Sequence, residues 1–366
     1  MNKIKVSLKE SNYLIYIGEK TFTKIPDLIN KLKLNKNIMV IVDKNVNSFH
    51  ERKIHQDLKN LNAKKIFYHL NPGEKTKSYS ELNKIYSFLL QNNYGRDSLI
   101  ISIGGGVTGD LAGYAAATYM RGIQIIHVPT TLLAAVDSSI GGKTGINFEK
   151  KKNMIGAFYQ PKIVLIDTDF LLTLPKAEIT SGLGEVIKYA FLSDLNFFKF
   201  VNKNLEKMFL LDEKSLTKTI IESDKIKAEV VSQDEKETGL RKILNLGHTF
   251  AHAFETELKF SIKHGEAVIA GLICALILSN RLGFLSDEDL DSYLKMPLKV
   301  KLPVKLQGLN KNNLYNIMLH DKKNRNGKIK FVLLSKIGNL LLDVEANKKE
   351  LFFTFDEMGK RINSLV

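Results

Sequence analysis

The stretch Ser98-Leu99-Ile100-Ile101-Ser102-Ile103-Gly104-Gly105-Gly106-Val107-Thr108-Gly109-Asp110 decides the fold. It opens as an apolar, β-branched run of strand length, and three glycines then lead into an alanine-rich stretch of helical spacing. Glycine suits such a turn because a ligand phosphate must approach the backbone closely and a Cβ would block it. The helix N-terminus then offers unpaired N–H groups and partial positive charge. Gly105, Gly106, Val107 and Asp110 are therefore expected at a bound anion. The stretch contains G-x-G-x-x-G, yet the acidic ribose partner expected ~20 residues further on is missing: no Asp or Glu lies between Asp110 and Asp137. A plain tight turn would fit the glycines as well. The reading is Rossmann-like nucleotide binding outside the usual geometry.

Outward from this turn, β-branched runs recur at Ile38–Val42, Lys65–Leu70, Gln124–Val128 and Lys162–Asp167. Helically spaced segments such as Ser78–Gln91 and Gly109–Tyr119 lie between several of them. That alternation predicts an α/β domain with a mostly parallel sheet, over 1–174. Beyond Pro175 the segments Gly182–Leu192, Ser215–Ser232, Lys242–Leu258 and Gly265–Leu282 are long and helically periodic. No β-branched run returns until Ile329–Leu334. An all-α C-terminal domain over 175–366 is expected, with the active site in the cleft between the two.

Composition narrows the function. A chain of 366 residues with 44% hydrophobic and 25% charged content suits two buried cores rather than disorder. The net charge of +15 comes mostly from scattered lysines, with seven arginines and no basic tail. Nucleic-acid recognition leans on arginine forks and interleaved aromatics, so no nucleic-acid partner is expected. One cysteine, Cys274, excludes a disulfide within the chain and fits a reducing compartment. Met1–Glu10 lacks the continuous apolar stretch of a signal peptide, and no run reaches the ~20 residues of a membrane span. A cytoplasmic location and no membrane partner are expected.

Polar residues then cluster. Pro72-Gly73-Glu74-Lys75-Thr76-Lys77 forms a turn after a strand, with Lys77 for phosphate and Glu74 for ribose hydroxyls. Thr130 and Thr131 follow another strand in an N-cap-like position, and Asp43 ends a third. Val136 to Asn153 is a Gly-rich loop carrying Asp137, Lys143, Lys152 and Asn153, which suits a second anion site. In the helical part, Glu185 and Lys188 share one face. Arg241, Asn245, His248 and His252 recur every three or four residues, as a polar stripe on one helix. His264-Gly265-Glu266 opens another helix. Two histidines and a carboxylate are a common set for a catalytic zinc with an open position. Spacing leaves two sets open: His248, His252 and Glu255, or Glu185, His248 and His264.

Together GGGVTGD, VPTTLLAAVDSSIGGKTGIN, KNMIGAFYQP, GEVIKY, RKILNLGHTFAH, HGEAV and HDKKN, in this order from 104 to 324, resemble the 3-dehydroquinate synthases of the sugar-phosphate cyclase family. The resemblance implies an NAD- and metal-dependent lyase of the shikimate pathway, leading to chorismate and the aromatic amino acids. Its substrate would be an anionic phosphorylated sugar acid, 3-deoxy-D-arabino-heptulosonate 7-phosphate. It implies zinc, with cobalt as an alternative occupant, on Glu185, His248 and His264. It implies Asp137, Lys188, Lys227 and His252 as catalytic groups. Substrate would meet Arg121, Lys143, Lys152, Asn153, Arg241, Asn245, and Lys322 or Lys323. NAD would meet Asp43, Glu74, Lys77, Gly105, Gly106, Val107, Asp110, Thr130, Thr131, Lys143 and Lys152. Arg121 resembles an arginine that reaches a neighbouring subunit, implying a homodimer. One departure is Ala251, where relatives usually show glycine. The alternatives are another cyclase, without the carboxylate-binding Arg241 and Lys143, or a metal polyol dehydrogenase that releases NADH.

Overall fold

The computed structural model describes residues 1–9, 11–34, 37–149, 151–320 and 328–363. It divides into two compact units. The first comprises Met1–Pro175 and Leu211–Lys236, and the second Lys176–Leu210 and Glu237–Val366.

The first unit begins with β1 (Asn2–Ser7), β2 (Asn12–Gly18), α1 (Ile25–Lys31), β3 (Asn37–Asp43), α2 (Lys44–Leu58), β4 (Lys64–Leu70) and α3 (Tyr79–Gln91). It continues with β5 (Leu99–Gly104), α4 (Gly106–Thr118), β6 (Gln124–Pro129), β7 (Lys143–Phe148), β8 (Lys151–Phe158) and β9 (Ile163–Asp167). Seven strands make one sheet in the order β1-β2-β9-β6-β5-β3-β4, while β7 and β8 form a separate hairpin. Every pairing in the sheet is parallel except β1 with β2.

Residues of β3 alternate between the two faces. Val40 and Val42 join an apolar cluster with Phe22, Ile25 and Ile54, and Met39 and Ile41 join one with Leu82, Ile85 and Leu111. The chain runs outward from β3 to β4, then crosses back to β5 on the other side of β3. This reversal makes the carboxyl ends of β3 and β5 the topological switch point, the preferred ligand crevice of an open parallel sheet. Asp43 and Gly104 end those strands.

After Pro175 the chain forms α5 (Lys176–Leu192) and α6 (Leu195–Phe209). It then returns to the first unit as α7 (Glu213–Gln233), which packs on β1. The expected helical domain over 175–366 is corrected here. Leu216, Ile220 and Val231 give α7 a buried stripe, and helical periodicity alone does not say which sheet or helix that stripe meets.

The second unit continues with α8 (His248–Glu257), α9 (His264–Arg281), α10 (Asp287–Leu294), α11 (Lys311–Leu319), β10 (Lys330–Lys336), β11 (Asn339–Glu345) and α12 (Lys348–Asn363). It is helical but not all-α, since β10 and β11 form an antiparallel hairpin. Gly338, with φ +76, makes the turn. Helix α9 is the axis, buried from Ala267 to Ser279 among α5, α8 and α12.

The long helix expected over Lys242–Leu258 is broken. Leu240–Asn245 is a 3₁₀ turn, Gly247 has φ +78, and α8 starts only at His248. A Cβ at Gly247 would lie 2.9 Å from the Leu272 nitrogen, so close contact with α9 and the positive φ both demand glycine. Arg241 and Asn245 therefore share no helix stripe with His248 and His252.

Candidate functional site

In the first unit the glycine turn is built by backbone. Gly105 caps α4 and Gly106 opens it. A Cβ at Gly105 would sit 3.0 Å from Thr131 Cγ2, and one at Gly106 3.0 Å from Ser138 Oγ. The cradle is filled by any side chain, as expected where a phosphate approaches main chain. Val107 lies in the first turn of α4, and Thr130 is buried beside the turn, its N–H donating to Gly104 O at 3.0 Å. Thr131 caps locally, its Oγ1 accepting from Ala134 N at 3.1 Å. A cavity under the turn is lined by Ser102, Gly104, His127, Ser139, Lys143 and Thr144, among others. Ser102 and His127 face each other across β5 and β6, Oγ to Nδ1 at 2.7 Å. Burial lowers the His127 pKa to about 4, which keeps the ring neutral.

Around this cradle runs a polar network. Lys77 Nζ binds Asp110 and Asn153. Asn147 joins the loop to the hairpin, its N–H donating to Lys77 O at 2.9 Å and its side chain to Glu74 Oε1 at 2.7 Å. Asn153 N closes the circuit on Asn147 Oδ1 at 3.0 Å. The expected loop between Val136 and Asn153 is thus a π-helical turn, Ala134–Ser138, followed by the β7–β8 hairpin. Asp137 sits in that turn, where Lys227 of α7 reaches its Oδ1 at 2.8 Å and its carbonyl at 2.6 Å. Asp43 caps α2, accepting from Asn45 N at 2.8 Å. Lys143 is exposed at the start of β7 and Lys152 half-buried in β8. Arg121 is exposed with φ 66, after Met120 with φ 51.

In the second unit three helices converge by close backbone contact. A Cβ on Gly184 of α5 would strike the Gly265 backbone of α9, and one on Gly271 of α9 would strike Gly247. These glycines bring Glu185, His248 and His264 together, with one ligand atom from each within 4.8 Å of the others. Glu185 Oε1 lies 3.5 Å from His248 Nε2 and 3.4 Å from His264 Nε2. Lys188 pairs with the other Glu185 oxygen.

The outward nitrogens are also held. His248 Nδ1 donates to Leu246 O at 3.3 Å, which leaves Nε2 as a lone pair facing Glu185. His264 Nδ1 faces Glu255 Oε2 at 3.5 Å. Burial, then Lys188, push the His248 pKa well below its usual value. Burial also opposes charge on His264, but hydrogen bonds to Glu185 and Glu255 outweigh it and raise the pKa to about 10. Two buried carboxylates against one ammonium call for another positive charge, from a proton or a cation. An imidazole–imidazole–carboxylate set with oriented outer partners suits zinc or a similar divalent ion.

Of the two sets left open by spacing, Glu185, His248 and His264 are the ones brought together. Glu255 meets the second nitrogen of His264, and Glu266 caps α9 through Lys263 N at 3.0 Å. His252 stacks edge-on to His248, ring centroids 5.7 Å apart. Arg241 is buried, and Asn245 Nδ2 donates to Glu237 Oε1 at 2.9 Å. Glu237 was missed because its run, Asp234 to Thr238, reads as a solvated turn. Ala251 is buried on α8 next to Gly271. Lys322 and Lys323 lie outside the described residues.

A parallel-sheet nucleotide cradle and a helical two-histidine, one-carboxylate set mark an NAD- and metal-dependent enzyme of the lyase type. The fold matches 2-deoxy-scyllo-inosose synthase, complexed with carbaglucose-6-phosphate, NAD⁺ and Co²⁺, with TM-score 0.88 and 25% identity over 97% of this chain and 99% of that one. It also matches 2-epi-5-epi-valiolone synthase from Streptomyces hygroscopicus, with NAD⁺ and Zn²⁺ bound, at TM-score 0.86 and 22% identity over 97% and 99%. Glycerol dehydrogenase from Schizosaccharomyces pombe shares the fold more distantly, with TM-score 0.67 and 18% identity over 100% and 92%.

Family models described as 3-dehydroquinate synthase N-terminal and C-terminal match residues 67–181 and 182–324. The chain belongs to the 3-dehydroquinate synthase family. It is 42% identical to the 3-dehydroquinate synthase of Alkaliphilus metalliredigens, over 93% of this chain and 94% of that one. It is 40% identical to that of Pelagibacter ubique, over 95% and 96%.

Proposed function

We propose that the chain converts 3-deoxy-D-arabino-heptulosonate 7-phosphate to 3-dehydroquinate and phosphate. This is a carbon–oxygen lyase step of the shikimate pathway, in the biosynthesis of chorismate and aromatic amino acids. The convergence of Glu185, His248 and His264 carries the reading, in a chain 42% identical to a synthase of that name. Those three residues would hold zinc, or cobalt, in the helical unit. Gly105, Gly106, Val107, Asp110, Glu74, Lys77, Thr130 and Thr131 would hold NAD⁺ at the switch point, with Asp43, Lys143 and Lys152 at its edges. Bound there, NAD⁺ supplies reversible hydride transfer and zinc supplies Lewis-acid polarisation of the reacting oxygens.

The remaining residues bind, orient and move protons. Lys227 holds Asp137 so that its carboxylate can accept a hydroxyl proton, and Lys188 fixes the Glu185 carboxylate. His252, Lys152, Asn153 and Lys322 or Lys323 would bind the phosphate. Lys143 and Asn245 would join Arg241 at the carboxylate, and Arg121 would reach the site of a second copy in a homodimer. A single buried cysteine and no described helix long and apolar enough to cross a membrane support a cytoplasmic location.

Incubation with the heptulosonate phosphate, catalytic NAD⁺ and zinc should release phosphate and yield a carbocycle. Stoichiometric NADH would point to a dehydrogenase instead. Arg241 separates the cyclases. Its planar fork matches a carboxylate in a way lysine cannot copy. Arg241→Lys should keep metal, NAD⁺ and Tm but lose about 2–5 kcal/mol of transition-state binding. An analogue without the carboxylate should lose far less. Equal losses on both would favour a cyclase for a non-carboxylated substrate.

A further inference from the structure

Asp224 of α7 has no part in the site described so far. It is fully buried, and among the described residues no donor reaches either carboxyl oxygen. A carboxyl in such a place is unfavourable, so its presence calls for a compensating role. It lies one helical turn before Lys227, on the same face of α7. Lys227 in turn grips Asp137 through carboxylate and carbonyl. Lys227 and Asp137 both act on Asp224 through charge, with no hydrogen bond to it.

Few other ionisable groups come near: Lys227 also acts on Asp110 of α4, which Lys77 holds. Strands β1 and β2, packed on α7, bury only Tyr13 and Tyr16 among such groups, and Lys3 and Lys5 of β1 are exposed. The turn Thr168–Thr173 brings Asp169, which Lys53 holds at 3.1 Å. Burial raises the Asp224 pKa well above its usual value, against the pull of Lys227 and with the push of Asp137.

With Asp224 protonated, Lys227 and Asp137 form a neutral pair. When alkali removes one proton from the cluster, two states compete. Loss from Lys227 leaves a bare carboxylate beside a neutral amine. Loss from Asp224 leaves one ammonium that attracts two carboxylates, Asp137 in direct contact and Asp224 through space. The second state is the better solvated by its own charges.

We propose that Asp224 is a positioning residue that gives up its proton before Lys227 does, and so keeps the Lys227 ammonium on Asp137 into the alkaline range. The proposal rests on reading Lys227 and Asp137 as groups at the reacting hydroxyls.

The test uses the full chain with Asp224→Asn, Asp224→Leu and, as the conservative variant, Asp224→Glu. Lys227 is titrated by NMR in protein carrying ¹⁵N at the lysine side-chain nitrogens, its signal assigned by loss in Lys227→Arg. Its midpoint should fall by about one pH unit in the Asn and Leu variants and recover in the Glu variant. The alkaline limb of kcat/KM should move down with it, while the acid limb stays. An acid with a raised folded pKa costs stability as pH rises from the ordinary carboxylate range. The Asn variant should therefore gain in Tm over wild type between pH 5 and pH 8. An unmoved Lys227 midpoint overturns the proposal, as do Asn and Leu variants that unfold or melt lower at every pH. The lysine titration needs no turnover, so a wild-type chain inactive on the heptulosonate phosphate would sink the proposed function and leave Asp224 to be judged alone.

Discussion

The glycine cradle of the first unit and the metal set of the second are built from different materials. Around Gly104–Gly106 the chain uses backbone: glycines clear a space, α4 begins there, and side chains such as Lys77, Asp110 and Asn147 tie the rim to itself. Around Glu185 the chain uses charge: two buried carboxylates, one ammonium and two imidazoles, held by helices whose glycines let them touch. The first arrangement holds its rim together with its own side chains, so it should tolerate the loss of its ligand. The second balances its two carboxylates only by taking up a proton or a cation, and should depend on what it binds. Backbone sites fail when atoms are added; charge sites fail when atoms are removed.

The sharpest way to break this contrast is at the metal set. Glu185→Ala, His248→Ala or His264→Ala should each lose zinc by elemental analysis and at least about a thousandfold in turnover, since several kcal/mol of charge stabilisation go with the ion. His252→Ala should keep its zinc. Full occupancy in His264→Ala would show that the converging residues are not the ligands. Next comes Glu255→Gln, which leaves all three ligands but loosens the orientation of His264. Zinc affinity should fall about 10–100-fold, measured by competition with a chelator.

On the backbone side, Gly105→Val adds atoms where 3.0 Å is already spoken for by Thr131. NAD⁺ binding by calorimetry should weaken at least about tenfold, or ~1.4 kcal/mol, with zinc content unchanged. A variant that lost zinc and kept NAD⁺ would reverse the comparison.

The smallest effect concerns His127. Its folded pKa, about 4, lies below the usual 6.5. The unfolded chain therefore takes up the proton first, and stability drains away as pH falls from 6.5 toward 4. At pH 5.5 the cost is ~1.4 kcal/mol. Urea unfolding of His127→Gln at pH 7.5 and 5.5 should show that share of the acid loss gone, and equal losses in both proteins would refute it.

The glycine turn was legible in the sequence because everything it needs is local. Strand, turn and helix follow within thirteen residues, and β5 and α4 lie where the spacing implied. Residues far apart were harder. Glu185 and His264 meet because Gly184 and Gly265 touch, and no spacing rule relates positions on separate helices. Counting every three or four residues from Arg241 to His252 failed at Gly247, where one positive φ resets the helix. The β7–β8 hairpin was read as a loop because its second strand is exposed or half-exposed throughout and lacks an alternating apolar face. Asp224 was passed over inside Glu-Ser-Asp-Lys, which looks like a solvated helix face. Burial is decided by α7 joining a sheet whose strands came much earlier.

That return of α7 also sets a timetable. Ser7 N donates to Ser232 Oγ, across 225 positions of chain. The edge strand β1 is among the first segments made, and the helix that covers it emerges only after the chain has crossed into the second unit and back. At about 5–20 residues per second on a ribosome, β1 waits roughly 10–45 s with one flank bare. Cutting the gene after Pro175 would make that wait permanent. The first unit cannot be expressed as the contiguous fragment its glycine turn suggests, and any truncation meant to isolate it must carry α7 along.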